Sequence, residues 1–128
     1  MKIALTSIPV DDPLKAHDFY TKVLGMQSKQ FDAEMQLAIV VSPEDPNGSA
    51  LLLEPRGDSF VKEFQEKVYQ AGLPVIIFGV DNPAEEVLRL KEKGVIFRED
   101  LANKEWGLEN IFEDTCGNFI MLQANDTA

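Results

Sequence analysis

The stretch VDDP at residues 10–13 decides the fold, because it returns as VDNP at residues 80–83. Each copy is followed by a helical pattern that ends in a glycine, at Gly25 and at Gly94. Each copy later reaches a glycine that opens an apolar strand, GSALLLE from residue 48 and GNFIMLQ from residue 117. The three landmarks keep their order and recur about 70 residues later, which is the signature of an internal repeat. The sequence therefore predicts two copies of one supersecondary unit.

Local signals give each unit the order β-α-β-β-β. Asp12 is a good helix cap, Pro13 suits the first helical position, and apolar residues then recur at helical spacing. Asn82 and Pro83 repeat this chemistry in the second unit, where later strands are predicted at about residues 95–99, 106–112 and 118–123. A further helix is predicted between the units, with an apolar stripe formed by Phe60, Phe64 and Val68.

We predict one α+β domain over residues 1–128, since a chain of this length forms one domain or two small modules that share a core. Its expected parts are a first module over about residues 1–55, a linker helix over about 58–72 and a second module over about 74–124.

Composition and charge restrict the function. The net charge of −10 would repel nucleic acid, and it serves either solubility or the attraction of a cationic ligand. No apolar run approaches the roughly 20 residues that span a bilayer, and the start of the chain lacks a secretory signal. The single cysteine fits a reducing compartment. We therefore expect a cytoplasmic protein with no membrane or nucleic-acid partner.

The tandem repeat resembles the vicinal oxygen chelate superfamily, which includes glyoxalase I, the bleomycin- and fosfomycin-resistance proteins and the extradiol dioxygenases. The resemblance is carried by VDDP at 10–13, FY at 19–20, VLGM at 23–26 and DTCGN at 114–118. It implies two tandem β-α-β-β-β modules that form a glyoxalase-like, cup-shaped mixed sheet, and it implies a homodimer.

In the metal-dependent members of this superfamily, equivalent strand positions present His, Glu or Gln to one divalent metal. The resemblance carries those positions onto four apolar residues, Leu5, Leu52, Val75 and Met121. Leu and Val offer no donor atom, and a Met thioether suits only soft metals. The only histidine, His17, lies on the first predicted helix, where we expect it to be partly exposed. We therefore predict no metal, no cofactor and no catalytic residue.

Five residues are predicted to bind a small-molecule ligand. Side chains alternate across a strand, so Ser7, Glu54, Phe119 and Gln123 share the inner face of the cup with the former metal positions. Trp106 is the main aromatic candidate, because aromatic faces suit flat or cationic ligands. An alternative to ligand binding stays open for two of these residues. In it, Glu54 is a strand-end carboxylate that reaches water, and Trp106 packs in the core or at a dimer interface.

Three hypotheses on function follow, and the first is favoured. In the first hypothesis, the chain is a metal-free protein of the bleomycin-resistance type that sequesters a cationic or aromatic ligand. Alternatively, it is a metal-dependent lyase or dioxygenase with unusual ligands, which requires carboxylates such as Glu54 and Glu113 to converge. The third hypothesis is a structural module whose cup is filled by its own apolar side chains.

Overall fold

The computed structural model describes residues 1–98 and 110–125. The first half contains β1 (Leu5–Val10), α1 (Pro13–Asp18), β2 (Gln27–Asp32), β3 (Leu37–Val41) and β4 (Ala50–Pro55). It is followed by α2 (Phe60–Gln70), and the second half contains β5 (Pro74–Val80), α3 (Pro83–Glu92), β6 (Ile111–Glu113) and β7 (Phe119–Ala124). The predicted α+β class is confirmed.

Two mixed sheets carry the internal repeat. The first has the strand order β1-β4-β3-β2 and the second has the order β5-β7-β6. The first strand of each half lies parallel to the last strand of that half, and all other pairs are antiparallel. In place of the strand predicted near residues 95–99, Phe97 forms an isolated antiparallel bridge with Phe112. The strand predicted over 106–112 is described only in part, as β6, because residues 106–109 lie outside the described ranges.

Both module helices begin as the sequence predicts. The Asp12 carboxylate accepts the backbone N–H groups of Leu14 and Lys15, and the Asn82 side chain accepts the N–H of Glu85. The copies differ at the other end, because α1 continues as a π-helical turn over Phe19–Val23 before Gly25, whose φ is +87°. This turn places the Tyr20 ring fully inside the protein.

The larger of two core clusters joins the two halves. The faces of the two sheets that carry the helices contribute to one cluster, which contains Val10 and Leu53 from the first sheet and Ile120 and Leu122 from the second. The opposite faces point away from this core. We name them the first outward face (Leu5, Ser7, Ile39, Leu52 and Glu54) and the second outward face (Ile77, Ile111, Phe119, Met121 and Gln123).

Helix α2 buries a polar residue and exposes apolar ones. Phe60 is 80% exposed and Phe64 is 60% exposed, although an apolar stripe is typical of a helix face that packs on a core. The buried residue of this helix is Gln65, which is 1% exposed. No helix in the described part of the chain is long and apolar enough to cross a bilayer.

Candidate functional site

The first outward face combines apolar and polar side chains. Ser7 pairs with Leu52 and Pro9 pairs with Glu54 across the parallel strands β1 and β4, so Ser7 and Glu54 share this face. Leu5 is 51% exposed, Leu52 is half-buried, and both predicted polar residues are exposed. Glu54 therefore reaches water at the end of β4. The face is an apolar strip that is open to solvent and has a carboxylate at one end.

The second outward face is partly covered. The Phe119 ring is buried, because the Tyr69 ring stacks on it at 4.4 Å and the Arg98 guanidinium lies 4.8 Å from its centroid. Gln123 is exposed and pairs with Gly79. Trp106 lies outside the described residues. The structure thus puts Ser7 and Glu54 on one sheet and Phe119 and Gln123 on the other, and their role as ligand contacts stays a prediction.

The residues at the metal positions of the superfamily do not fit a divalent metal. Leu5 and Leu52 lie on the first outward face and Met121 lies on the second. Val75 does not lie beside Met121: the register shifts between Pro74 and Ile76, so Val75 packs against the shared core and Ile77 takes the position opposite Met121. None of these residues offers an oxygen or nitrogen donor on its side chain.

Other donors in the described part of the chain do not replace them. Among residues 1–98 and 110–125, no group of three or more His, Cys, Asp or Glu residues is placed to hold a metal. Glu113, which an unusual site would need beside Glu54, belongs to the second sheet and accepts a hydrogen bond from the Tyr69 hydroxyl. The His17 ring is half-buried, lies 2.9 Å from the Ser28 hydroxyl through Nε2 and stacks on Phe31.

A buried polar network fixes how the two sheets meet. Asp114 is fully buried and accepts hydrogen bonds from the Tyr20 hydroxyl at 2.6 Å and from the Asn118 amide at 2.9 Å. Its other oxygen accepts the backbone N–H groups of Cys116 and Asn118. Burial raises the pKa of Asp114, although these hydrogen bonds act in the opposite direction. Burial, and then the neighbouring Asp114, raise the pKa of Tyr20 well above 10.0, so its hydroxyl stays a donor.

Gln65 extends this network to the first sheet. Its amide nitrogen donates to the backbone oxygen of Pro9 at 2.9 Å and to the Asn118 side chain at 3.0 Å, while its oxygen accepts from Arg56 at 2.7 Å. Within the described residues, no buried side-chain nitrogen or oxygen lacks a hydrogen-bond partner. A fully paired network of this kind orients the two outward faces relative to each other.

Cys116 belongs to the same buried region. Burial raises the pKa of its thiol to about 12, and the Asp114 carboxylate adds to the effect. A nucleophilic cysteine needs a lowered pKa and access, so this thiol is unsuited to catalysis. The sequence analysis assigned no site role to Tyr20, Gln65 or Asp114. The available signals were FY at residues 19–20 and DTCGN at residues 114–118, and both entered only as part of the resemblance.

Comparisons with known proteins agree with this fold. The uncharacterized protein YurT of Bacillus subtilis (strain 168) is 42% identical over 125 residues, which cover 95% of this chain and 98% of the relative. The crystal structure of UcmS2 is similar with a TM-score of 0.77, 23% identity and 98% coverage of both chains. That of TnmS3, an antibiotic binding protein from Streptomyces sp. CB03234, has a TM-score of 0.68 and 24% identity over 98% of this chain and 97% of TnmS3.

These two structural likenesses, at their low identities, concern the fold alone. The family comparison goes further, because the model of one family matches residues 2–122. The chain therefore belongs to the Glyoxalase/Bleomycin resistance protein/Dioxygenase superfamily.

Proposed function

We propose that this protein binds a cationic or aromatic small molecule without a metal, and that it sequesters the ligand rather than transforming it. The observation that carries the proposal is the first outward face. At the positions where metal-dependent relatives hold donors, this face presents Leu5 and Leu52, with Ser7 and Glu54 beside them. Such a surface offers apolar contact and one anionic end, and the side chains of Leu5 and Leu52 carry no atom that could hold a divalent metal.

The charge of the chain and one similar structure support a cationic ligand. Glu54 is an exposed carboxylate on this face, and the whole chain carries a net charge of −10, which attracts cations over a distance. TnmS3, which has a similar fold, is described as an antibiotic binding protein. Phe119, Gln123 and Trp106, from the second half of the chain, are proposed to complete the ligand contacts when a second copy of the chain lies against the first outward face.

We further propose that the protein works as a homodimer in the cytoplasm, as one domain over residues 1–128, with no nucleic-acid partner. Leu5 is 51% exposed and Ile77 is 48% exposed, one on each outward face. A second copy of the chain would cover both, because the first outward face of one copy can lie against the second outward face of its partner. Burying the exposed half of such a side chain contributes on the order of 1 kcal/mol.

The homodimer is tested by light scattering after gel filtration. Leu5→Glu should convert the dimer into a monomer, because it places a charge on the proposed interface. Met35→Glu is the matched control, since Met35 is also exposed and apolar but lies in the turn between β2 and β3. A wild-type monomer, or equal dissociation by both variants, would contradict the proposal.

Ligand binding is tested by thermal unfolding with a panel that includes the cationic glycopeptide bleomycin and neutral aromatic compounds. A true ligand raises Tm in proportion to the logarithm of its concentration. Glu54→Gln should weaken the effect of cationic ligands, whereas Glu34→Gln in the β2–β3 turn should not. If no compound raises Tm, or if both variants respond alike, the proposal fails. One tightly bound divalent metal per chain in native mass spectrometry would also overturn it.

A further inference from the structure

A cavity of about 340 Å³ lies between the two halves of the chain, and none of the residues named on the two outward faces lines it. The first half contributes the end of its helix and the turn after β3, and the second half contributes the end of β5 and the start of α3. We infer that this cavity is a second ligand site, and that it binds a primary amine with a compact apolar group.

The floor of the cavity is apolar. Leu90 and Leu122 are buried beneath it, and Met26 and Phe78 are half-buried in its walls. Phe78 and Leu122 belong to the face of the second sheet that packs on the shared core, so this cavity opens at the end of the core and not on the cup strands. Its volume falls in the range of about 300–1,000 Å³ that is usual for small-molecule sites.

The rim of the cavity is anionic. Four carboxylates line it, from Glu44, Asp81, Glu85 and Glu86, and no lysine or arginine is among its described lining residues. Glu44 and Glu85 form no ion pair with a described residue. Charges that face an apolar floor in a concave site attract counter-ions more strongly than the same charges on a convex surface.

Arg89 is not among the residues that line the cavity, and it offsets the charge of one of the four rim carboxylates, that of Glu86. Nε of Arg89 donates a hydrogen bond of 2.9 Å to Oε1 of Glu86, and a second guanidinium nitrogen donates to the same oxygen. The other oxygen of Glu86, Oε2, has no hydrogen bond to a described residue. Arg89 also donates to the backbone oxygens of Val23 at 3.1 Å and Leu24 at 3.3 Å. Arg89 thereby ties α3 to the end of the first helix and holds the two walls of the cavity at a fixed separation, which lowers the entropic cost of binding.

The combination of floor and rim selects one chemical class. An ammonium group can donate hydrogen bonds to the rim carboxylates while its apolar substituent lies on the leucine floor. A neutral molecule of the same shape would gain only the apolar contact with the leucine floor, and a carboxylate would be repelled by the carboxylates of the rim. The expected order of affinity is therefore amine, then alcohol, then carboxylate.

The test uses three probes with the same phenyl group: 2-phenylethylamine, 2-phenylethanol and 3-phenylpropanoate. Each is titrated into the full-length ¹⁵N-labelled protein, and amide shifts are followed by NMR. The amine should bind with a Kd on the order of 1 mM, as expected for so small a ligand. Its shifts should centre on Gly25, Gly79 and Asn82, which line the cavity. Shifts centred on Leu5 and Leu52 instead, or equal binding of the alcohol and the amine, would overturn the inference.

Variants separate the effect of the rim carboxylates on amine affinity from the effect of the chain's net charge. Glu44→Gln combined with Glu85→Gln should weaken the amine about tenfold and leave the alcohol unchanged. The matched control combines Glu34→Gln with Glu92→Gln, which removes two exposed carboxylates outside the cavity. Equal losses in both variants would mean that only the net charge matters, and would overturn the site. Glu54→Gln should leave amine binding here unchanged, so this test can fail independently of the proposed function.

Discussion

The hydroxyl of Tyr20 donates a 2.6 Å hydrogen bond to the carboxylate of Asp114, which is 94 residues away in the sequence. Both side chains are fully buried. Tyr20 belongs to the π-helical turn after α1, and Asp114 lies between β6 and β7. One hydrogen bond therefore connects the helix of the first half to the closing turn of the second.

Tyr20→Phe should lower the free energy of unfolding by about 2 kcal/mol, because it leaves a buried carboxylate without one of its donors. Urea denaturation measures this loss. Tyr69→Phe makes the same chemical change where the Tyr69 hydroxyl meets Glu113 at an exposed site, so it should cost less than about 0.5 kcal/mol. Equal losses of unfolding free energy in the two variants would show that the buried Tyr20–Asp114 hydrogen bond stabilises the fold no more than the exposed one does.

The cost of Asp114→Asn should shrink as the pH rises from about 4 to neutrality. The pKa of Asp114 in the folded state lies above its ordinary value of 3.8. The folded state therefore keeps this proton to a higher pH than the unfolded chain does, and wild-type stability falls as the pH rises through that interval. The asparagine variant cannot titrate and does not share this fall.

Urea denaturation of the wild type and Asp114→Asn at several pH values tests this expectation. Asp58→Asn removes an exposed carboxylate that faces Lys62, and serves as the control for the general effect of charge. A cost of Asp114→Asn that grows with pH would contradict the prediction, because it would mean that the ionised carboxylate is the form that stabilises the fold.

Gln65→Ala should destabilise the protein by about 3 kcal/mol, far more than Phe64→Ala on the preceding position. The glutamine amide holds the backbone oxygens of Pro9 and Cys116, which would lose a buried partner. Phe64 is largely exposed and loses little when it is truncated. Thermal unfolding of both variants checks the order, and a larger loss for Phe64→Ala would indicate that its ring is covered in solution.

Cys116 should not react with Ellman's reagent in the folded protein at mildly alkaline pH. The thiol is buried and its pKa is raised to about 12, so it carries almost no thiolate under these conditions. One equivalent should react after unfolding in guanidinium chloride, since the chain has a single cysteine. Rapid labelling of the folded protein would contradict the burial of this side chain.

Much of the fold could be predicted because its signals are local. Asp12 and Asn82 cap their helices from positions next to the helix start, and the alternation of side chains placed Ser7 and Glu54 on one face of the first sheet. The linker helix was also predicted, and it is α2, but the face that it buries could not be predicted in this way. Its apolar stripe suggests a face for the core, whereas partners more than 50 residues away in the chain select Gln65.

The second outward face was harder to predict than the first. The position of Val75 depends on a shift in strand register, and no short sequence pattern indicates that shift. The covering of Phe119 depends on Tyr69 and Arg98, which come from different elements. Both features arise from tertiary packing, so a residue's place along its strand did not reveal whether it is available to a ligand.

The shared core bears on whether either half can exist alone. Val10 and Leu53 of the first sheet pack in the same cluster as Ile120 and Leu122 of the second, and Asp114 finds a partner across the boundary. If the chain were divided after Arg56, each fragment would expose an apolar face that only the other fragment can cover. Each fragment should therefore be unfolded when it is alone, and the two should fold together when mixed; that result would mean that the repeat duplicates a topology without duplicating the ability to fold.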